Sequence, residues 1–358
     1  MKALQSYLDK LGSNFIVASM IPSLAFFTIS MLVFKPILPD AIFNYLGGEF
    51  DPLGKSGLLL FLATVILGFT LTSLNTFIYK LFEGYVLLWH FPFFKRNELA
   101  RARKIQRQKR CLERKIDRLV NPSSQRAENK RDELFARKQA LAIDYNIKFP
   151  DSDDDIMPTR FGNTLKAAEA YSRSRYNIDA VPVWPRFIHV IPESYFSKVN
   201  QSSNELSFLM NFTFLTICFS LVTLMAALYQ YFLVFRIANE NSESLLYFIP
   251  VVQEDIQKYS QRAGIYFVLF FAALLVSWVF LKASNLVVIE YGYLIRSAFD
   301  LFRFDLLKQF RMEIPCSLDD ELESWEDICD FLNLGNQDGH IKFDYHHFSE
   351  DANTVVQS

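Results

Sequence analysis

Long apolar stretches without any charged residue interrupt this chain at four places. An α-helix rises about 1.5 Å per residue, so roughly 20 residues reach across the hydrocarbon core of a bilayer. Soluble domains rarely contain uncharged helices of this length, and the pattern therefore predicts membrane spans. Lys282 can snorkel, which lets the fourth span extend beyond Leu281. The predicted spans are residues 14–34, 57–79, 206–235 and 265–285.

The spans divide the chain into four segments. Residues 1–79 and 206–288 would each form a transmembrane helix pair, a region of 80–205 lies between the pairs, and 289–358 form a tail. Pro22 is expected to kink the first span, which a membrane helix tolerates when a neighbour satisfies the freed carbonyl. The sequence thus predicts an all-α membrane protein with four transmembrane helices.

Helical patterns continue outside the spans. Apolar residues recur at heptad-like spacing from Arg96, the breaker Asn121-Pro122 follows, and a second charged helix is predicted to end near Ile143. The region predicts an antiparallel helical hairpin over about 96–143. Amphipathic helices are predicted after the fourth span, the last of them an acidic helix that begins at Ser317.

The formal net charge of −2 hides two oppositely charged regions. Lys80 to Lys148 contain 18 Lys or Arg against 8 Asp or Glu, whereas Met312 to Ser358 contain 12 acidic residues against Lys342 alone. We therefore expect the acidic tail to dock on the basic hairpin. The basic region is also a candidate for contact with anionic lipid.

The positions of Lys and Arg predict the orientation. The loop between the first two spans contains only Lys35 and Lys55 as basic residues, whereas nine Lys or Arg follow the second span between residues 80 and 110. The positive-inside rule places the long central region and the tail in the cytoplasm. With four spans, the N-terminus is cytoplasmic as well. The expected location is the inner (plasma) membrane, with the chain crossing it several times.

No motif of nucleotide, hydrolase or metal chemistry stands in the sequence. Walker A, GxSxG, HExxH and GxGxxG patterns are absent, and no span contains a central ionisable residue. The four cysteines include no CxxC pair. Asp151 to Asp155 lack the glycine and terminal glutamate of a calcium loop. We expect no cofactor and no metal site.

The densest polar segment, residues 158–192, lies just before the third span. In a functional interpretation, Glu169 or Asp179 acts as a general base, and nearby residues bind an anion such as a phosphate or a lipid headgroup. In a structural interpretation, the same side chains pair with one another as a polar cap near the membrane. The anion-binding candidates are Arg160, Asn163, Arg175, Tyr176 and Arg186.

Several short stretches resemble a group of uncharacterised prokaryotic multi-pass membrane proteins. They are PTRFGN from Pro158, EAY from Glu169, RYNID from Arg175 and WPR from Trp184, followed by YGYLIRSAFDLFRFDLL and ESWEDICDFL. The likeness covers roughly the second half of the chain. It implies a bacterial membrane location and no named activity.

Two functions are compatible with these features. The first is a non-enzymatic membrane protein whose cytoplasmic region senses or binds a partner, in one version as an oligomeric membrane effector. The alternative is a membrane-bound enzyme acting on a lipid or phosphate-bearing substrate at the cytoplasmic interface. The small-residue patterns Ser19-x-x-x-Ser23 and Ala273-x-x-x-Ser277 favour helix association and make a homo-oligomer a further expectation. The expected partners are the lipid bilayer, other copies of the chain and a cytoplasmic protein.

Overall fold

The computed structural model describes residues 15–34, 55–86, 88–119, 124–241 and 250–335. Every regular element within these ranges is helical, which confirms the all-α prediction. A π-helical turn, Ile16–Met20, and a 3-10 turn, Leu88–His90, accompany the α-helices. The α-helices are α1 (Ile21–Phe34), α2 (Lys55–Ser73), α3 (Asn75–Glu83), α4 (Pro92–Asp117), α5 (Gln125–Lys148), α6 (Arg160–Tyr176), α7 (Ala180–Phe187), α8 (Glu193–Asn241), α9 (Pro250–Gln309) and α10 (Leu318–Leu334).

Four helical stretches are long and apolar enough to cross a membrane. They are Ile16–Phe34, Ser56–Ser73, Glu193–Asn239 and Gln253–Gln309. The second ends earlier than predicted, because the helix breaks at Leu74 and resumes as α3. The last two are longer than predicted. In particular, the predicted fourth span and the amphipathic helix after it form the single helix α9.

The chain folds into two compact units, one of Met1–Tyr79 with Asn204–Ser284 and one of Lys80–Ser203 with Asn285–Ser358. In the first unit, large apolar side chains such as Leu32, Ile66 and Met225 are exposed. Exposed apolar surface of this kind is unfavourable in water and favourable against lipid tails. The composition of this unit therefore suits a bilayer.

The small-residue patterns of the first unit are used within the chain itself. Ser19 and Ser277 are buried, and their hydroxyl groups contact Thr72 Oγ1 at 3.0 Å and Thr216 Oγ1 at 2.8 Å. Both patterns therefore pack helices of one molecule against each other. They provide no free surface for a second copy, so a homo-oligomer must be argued from other residues.

In the second unit, α4 and α5 pack side by side and run antiparallel. Gln106 Nε2 donates to Tyr145 Oη at 2.7 Å, and further along Lys138 Nζ donates to Glu113 Oε1 at 2.5 Å. Ala102 lies between the two helices in a small apolar cluster with Tyr145. The pair corresponds to the predicted hairpin, with α5 continuing beyond residue 143 to Lys148.

The larger core of the second unit is formed by α7, α10, the start of α8 and the end of α9. Phe187 and Phe299 stack at its centre with ring centroids 4.7 Å apart, and Trp325 of α10 is fully buried beside them. Ser317 caps α10 as predicted, because its hydroxyl accepts a hydrogen bond from Asp320 N at 3.2 Å. The described part of the acidic tail thus packs on this core rather than on the α4–α5 pair. Residues 336–358 of the tail lie outside the described residues.

Candidate anion-binding site

The PTRFGN stretch attaches the start of α6 to the end of α3. Thr159 Oγ1 accepts a hydrogen bond from Gly162 N at 2.9 Å and donates one to the Glu83 carbonyl at 3.0 Å. A Cβ atom at Gly162 would lie 2.5 Å from the same carbonyl oxygen. Gly84, with φ +99°, faces Pro158 across this junction. The motif therefore has a packing role, since it requires a glycine where two backbones approach closely.

Asn163 fixes the loop that leads into α6. Its side chain is fully buried, Oδ1 accepts from Met157 N at 2.7 Å, and Nδ2 donates to Met157 O at 3.0 Å. Nδ2 also lies 3.4 Å from Glu98 Oε2, and Glu98 pairs with Arg101. The amide that the sequence offered as an anion ligand is thus occupied by the chain's own backbone.

Asp300 of α9 holds two tyrosines of α6. Tyr176 donates to Oδ1 at 2.7 Å, and Tyr171 donates to Oδ2 at 3.0 Å. Burial and the hydrogen bond to Asp300 raise the pKa of Tyr176 to about 12, and the same two causes raise the pKa of Tyr171. Both phenols therefore stay protonated at physiological pH and continue to donate to the carboxylate.

Two arginines contact the ring of Tyr171. The guanidinium carbons of Arg175 and Arg296 lie 5.1 Å and 5.3 Å from the ring centroid, within the range of cation–π contact. Within the described residues, no carboxylate lies at ion-pair distance from either guanidinium. Arg175 and Arg296 thus share one aromatic ring, and neither has an ion-paired carboxylate within the described residues.

Both arginines line a cavity of about 300 Å³ between α5, α6 and α9. Its wall contains the polar residues Asn146, Ser174 and Ser297 and two carboxylates, those of Asp151 and Asp300. The carboxylate of Asp300 is occupied by the two phenols. The cavity thus combines an apolar wall with a few convergent polar groups, as ligand sites commonly do, and two guanidinium groups in that wall could bind a small anion.

Arg296 is the more constrained of the two arginines. Its side chain is only 8% exposed, and one terminal nitrogen donates to the Asn146 carbonyl at 2.9 Å. Its buried Nε has no hydrogen-bond partner within the described residues. An incompletely bonded guanidinium in a buried wall is unfavourable by itself, and an anion in the cavity would compensate its charge.

An ion pair between Arg303 of α9 and Glu321 of α10 lies beside Tyr176 and Asp300. Arg303 Nε donates to Glu321 Oε1 at 2.6 Å, and both side chains are largely buried. The guanidinium carbon of Arg303 lies 4.2 Å from the centroid of the Tyr176 ring. Arg303 thus packs against the Tyr176 ring, and Asp300 accepts a hydrogen bond from its hydroxyl. Because both partners are on α9, Tyr176 links α6 to α9.

The remaining candidates have contacts elsewhere. Asp179 caps α7 by accepting from Val181 N at 3.1 Å. Glu169 lies 3.4 Å from Lys166 Nζ. Burial lowers the pKa of Lys166, but Glu169, Tyr85 and Asp155 together raise it by more. Arg186 donates to the Pro182 carbonyl of its own helix at 2.6 Å, and Arg160 is exposed at the start of α6. Of the candidates, only Tyr176, which bonds to Asp300, and Arg175, which lines the same cavity as Asp300, lie at this site.

No protein-family model, curated protein or solved structure matches this chain.

Sequence reasoning missed the partners that α9 and α5 supply, namely Arg296, Asp300 and Asn146. The spacing of Arg296 and Asp300, four residues apart in a helical pattern, placed them on one face. What the pattern lacked was the identity of the helix opposite that face. Tyr171 and Arg175 have the same spacing on α6, so the two matching pairs were a usable signal for contact.

Proposed function

We propose that this chain is a multi-pass membrane protein that binds an anionic ligand of phosphate type outside its four apolar helices and does not transform it. The observation that supports binding is that Arg175 and Arg296 both lie within cation–π distance of the Tyr171 ring and line one cavity, while neither has an ion-paired carboxylate within the described residues. Guanidinium groups present several N–H donors in a geometry that matches phosphate oxygens.

The arrangement of the candidate carboxylates supports binding rather than catalysis. Asp179 is committed to the N-terminus of α7, and Glu169 pairs with Lys166. Neither belongs to the wall of the cavity. The variants Glu169→Gln and Asp179→Asn should therefore keep ligand binding, although Asp179→Asn can weaken the helix cap slightly.

The ligand test uses the full-length protein in detergent, with inorganic phosphate and a short-chain phosphatidic acid as probes. Thermal unfolding is followed by intrinsic tryptophan fluorescence, to which Trp184 and Trp325 in the core of the second unit contribute. A ligand that binds only the folded state raises the apparent unfolding temperature as its concentration increases. A shift with free phosphate points to a soluble ligand, whereas a shift with phosphatidic acid alone points to a lipid headgroup.

Arg175→Gln should abolish the shift, because it removes one cation from the cavity and leaves the Arg296 contact with Asn146 intact. The matched control is Arg186→Gln, a loss of the same charge from the exposed side of α7. Equal shifts in all three proteins, or no shift with either probe, would contradict the proposed binding site.

We propose further that the protein resides in the inner (plasma) membrane with both termini in the cytoplasm. The distribution of Lys and Arg supports this orientation. An effector role through a homo-oligomer or a cytoplasmic protein partner belongs to the same proposal. Induced expression with a membrane-potential dye tests it, since an effector should depolarise the cell and Arg175→Gln should alter the response.

A further inference from the structure

One side of α4 is an exposed surface formed by arginines. With 3.6 residues per turn, five positions between 96 and 114 fall within about 40° of a single line along the helix. The row extends over about 27 Å at a rise of 1.5 Å per residue. Its members, called here the arginine face, are all exposed: Arg96, Arg103, Arg107, Arg110 and Arg114.

The chain neutralises little of this charge. Arg103 pairs with Asp153 at 3.2 Å. Within the described residues, the other four arginines have no carboxylate at ion-pair distance. Glu113, a neighbour on the same helix, is paired with Lys138 of α5. The arginine face thus presents several uncompensated guanidinium groups along one straight line, and these bind phosphate groups well.

Aromatic side chains stand at the start of the arginine face. Phe93 precedes Arg96 by three residues, so both lie on the same side of α4. Phe93 is 72% exposed, and Phe91 just before the helix is 54% exposed. Phenyl rings are unfavourable in water but favourable at the boundary between headgroups and acyl chains.

We infer that the arginine face, together with Phe93, is a docking surface for anionic phospholipid headgroups. The charge of the face complements the phosphates of such a surface, and the phenyl ring enters the acyl boundary. A duplex nucleic acid would contact the same arginines, but its bases are stacked inside the helix, so the exposure of Phe93 would have no role. This surface lies on α4 and is independent of the cavity beside Tyr171.

The test uses Cys111, which is exposed and follows Arg107 by four residues, so that it borders the arginine face. The full-length protein carries Cys218→Ser and Cys316→Ser and a fluorophore on Cys111. It is reconstituted into phosphatidylcholine vesicles with or without phosphatidylglycerol, each containing a headgroup-labelled quencher lipid. We expect quenching with phosphatidylglycerol at low salt and its loss at high salt, because salt screens the contact.

A triple variant, Arg96→Gln, Arg107→Gln and Arg110→Gln, should lose the quenching. The control removes three exposed cations from the neighbouring helix α5 through Arg126→Gln, Lys130→Gln and Arg137→Gln, and it should retain the quenching. Equal quenching without phosphatidylglycerol, or equal loss in both variants, would overturn the inference. It would also fail if duplex DNA changed the label's emission while phosphatidylglycerol vesicles left it unchanged, because the partner would then be a nucleic acid.

Discussion

Asn211 donates a hydrogen bond from Nδ2 to the main-chain carbonyl of Ala18 over 2.8 Å. Ala18 stands four residues before Pro22, which has no N–H to offer that carbonyl. The turn before Pro22 is π-helical: the N–H of Ile21 bonds to the carbonyl of Ile16, five residues earlier, rather than to the carbonyl four residues earlier as in an α-helix. The buried amide of α8 thus replaces the bond that the proline removes, as a helix inside a bilayer would require.

Asn211→Leu should destabilise the first unit by about 1–2 kcal/mol, because it leaves the Ala18 carbonyl buried without a donor. Unfolding of the purified protein in mixed micelles measures the change. In a Pro22→Ala background the new N–H can bond Ala18 O, and the cost of Asn211→Leu should fall. An equal cost in both backgrounds would show that the two positions are not coupled.

Gly162→Ala should destabilise the second unit by about 1–3 kcal/mol, because the added methyl group would meet the Glu83 carbonyl at 2.5 Å. Gly264→Ala is the matched control, since nothing lies within 4 Å of its Cβ position and alanine favours a helix by up to about 1 kcal/mol. The unfolding temperature should therefore fall in Gly162→Ala and rise in Gly264→Ala. A loss in both variants would point to a general intolerance of substitution.

The hydrogen bond from Tyr176 to Asp300 predicts a loss of stability at alkaline pH. The pKa of Tyr176 is raised to about 12 in the folded chain, so the folded state holds the proton more tightly than the unfolded state. Its stabilising effect is complete below the ordinary tyrosine pKa of about 10 and is lost as the pH rises toward 12. Tyr176→Phe should be less stable at neutral pH and should lose less between pH 10 and 12.

Ultraviolet absorption of tyrosinate provides an independent measurement. The difference between the titrations of the unmodified protein and Tyr176→Phe should contain one phenol that ionises near pH 12. A difference titration centred near pH 10 would mean that Asp300 does not hold this proton.

The proposed orientation predicts the accessibility of two exposed cysteines, Cys111 and Cys316. A membrane-impermeant maleimide should label them in inside-out vesicles and spare them in intact spheroplasts. Cys329 is buried and its Sγ accepts from Asp179 N at 3.2 Å, so it should react only after unfolding. Labelling of Cys111 from outside the cell would reverse the orientation.

The local sequence was sufficient to predict the apolar helices, the α4–α5 pair and α10, because their signals are local, but it did not predict α6 or α7. Uncharged stretches predicted the four candidate spans, and Ser317 was correctly predicted to begin an acidic helix. Pro22 predicted an irregular helix, which is the π-helical turn before it. Helix ends were less accurate, as in α9, where a change from apolar to amphipathic character occurs inside one helix. Periodicity reports which face of a helix is apolar, and it carries no information about continuity with the next segment.

The candidate site residues were predicted less well than the helices. Asn163, Asp179 and Arg186 were selected because polar side chains crowd one segment, yet each bonds to nearby backbone. Side chains two to six residues from a main-chain group are often used in this way, and sequence density does not distinguish such bonds from ligand sites.

By itself the sequence determined the helical class, the four apolar helices and the segregation of charge, since each follows from the composition of consecutive residues. Only the tertiary structure decided that Arg175 and Arg296, more than a hundred positions apart in the chain, share the ring of Tyr171. It also decided that Asn211 supplies the donor that Pro22 lacks. Such pairings depend on which helix faces which and in what register, and packing of the whole unit fixes both.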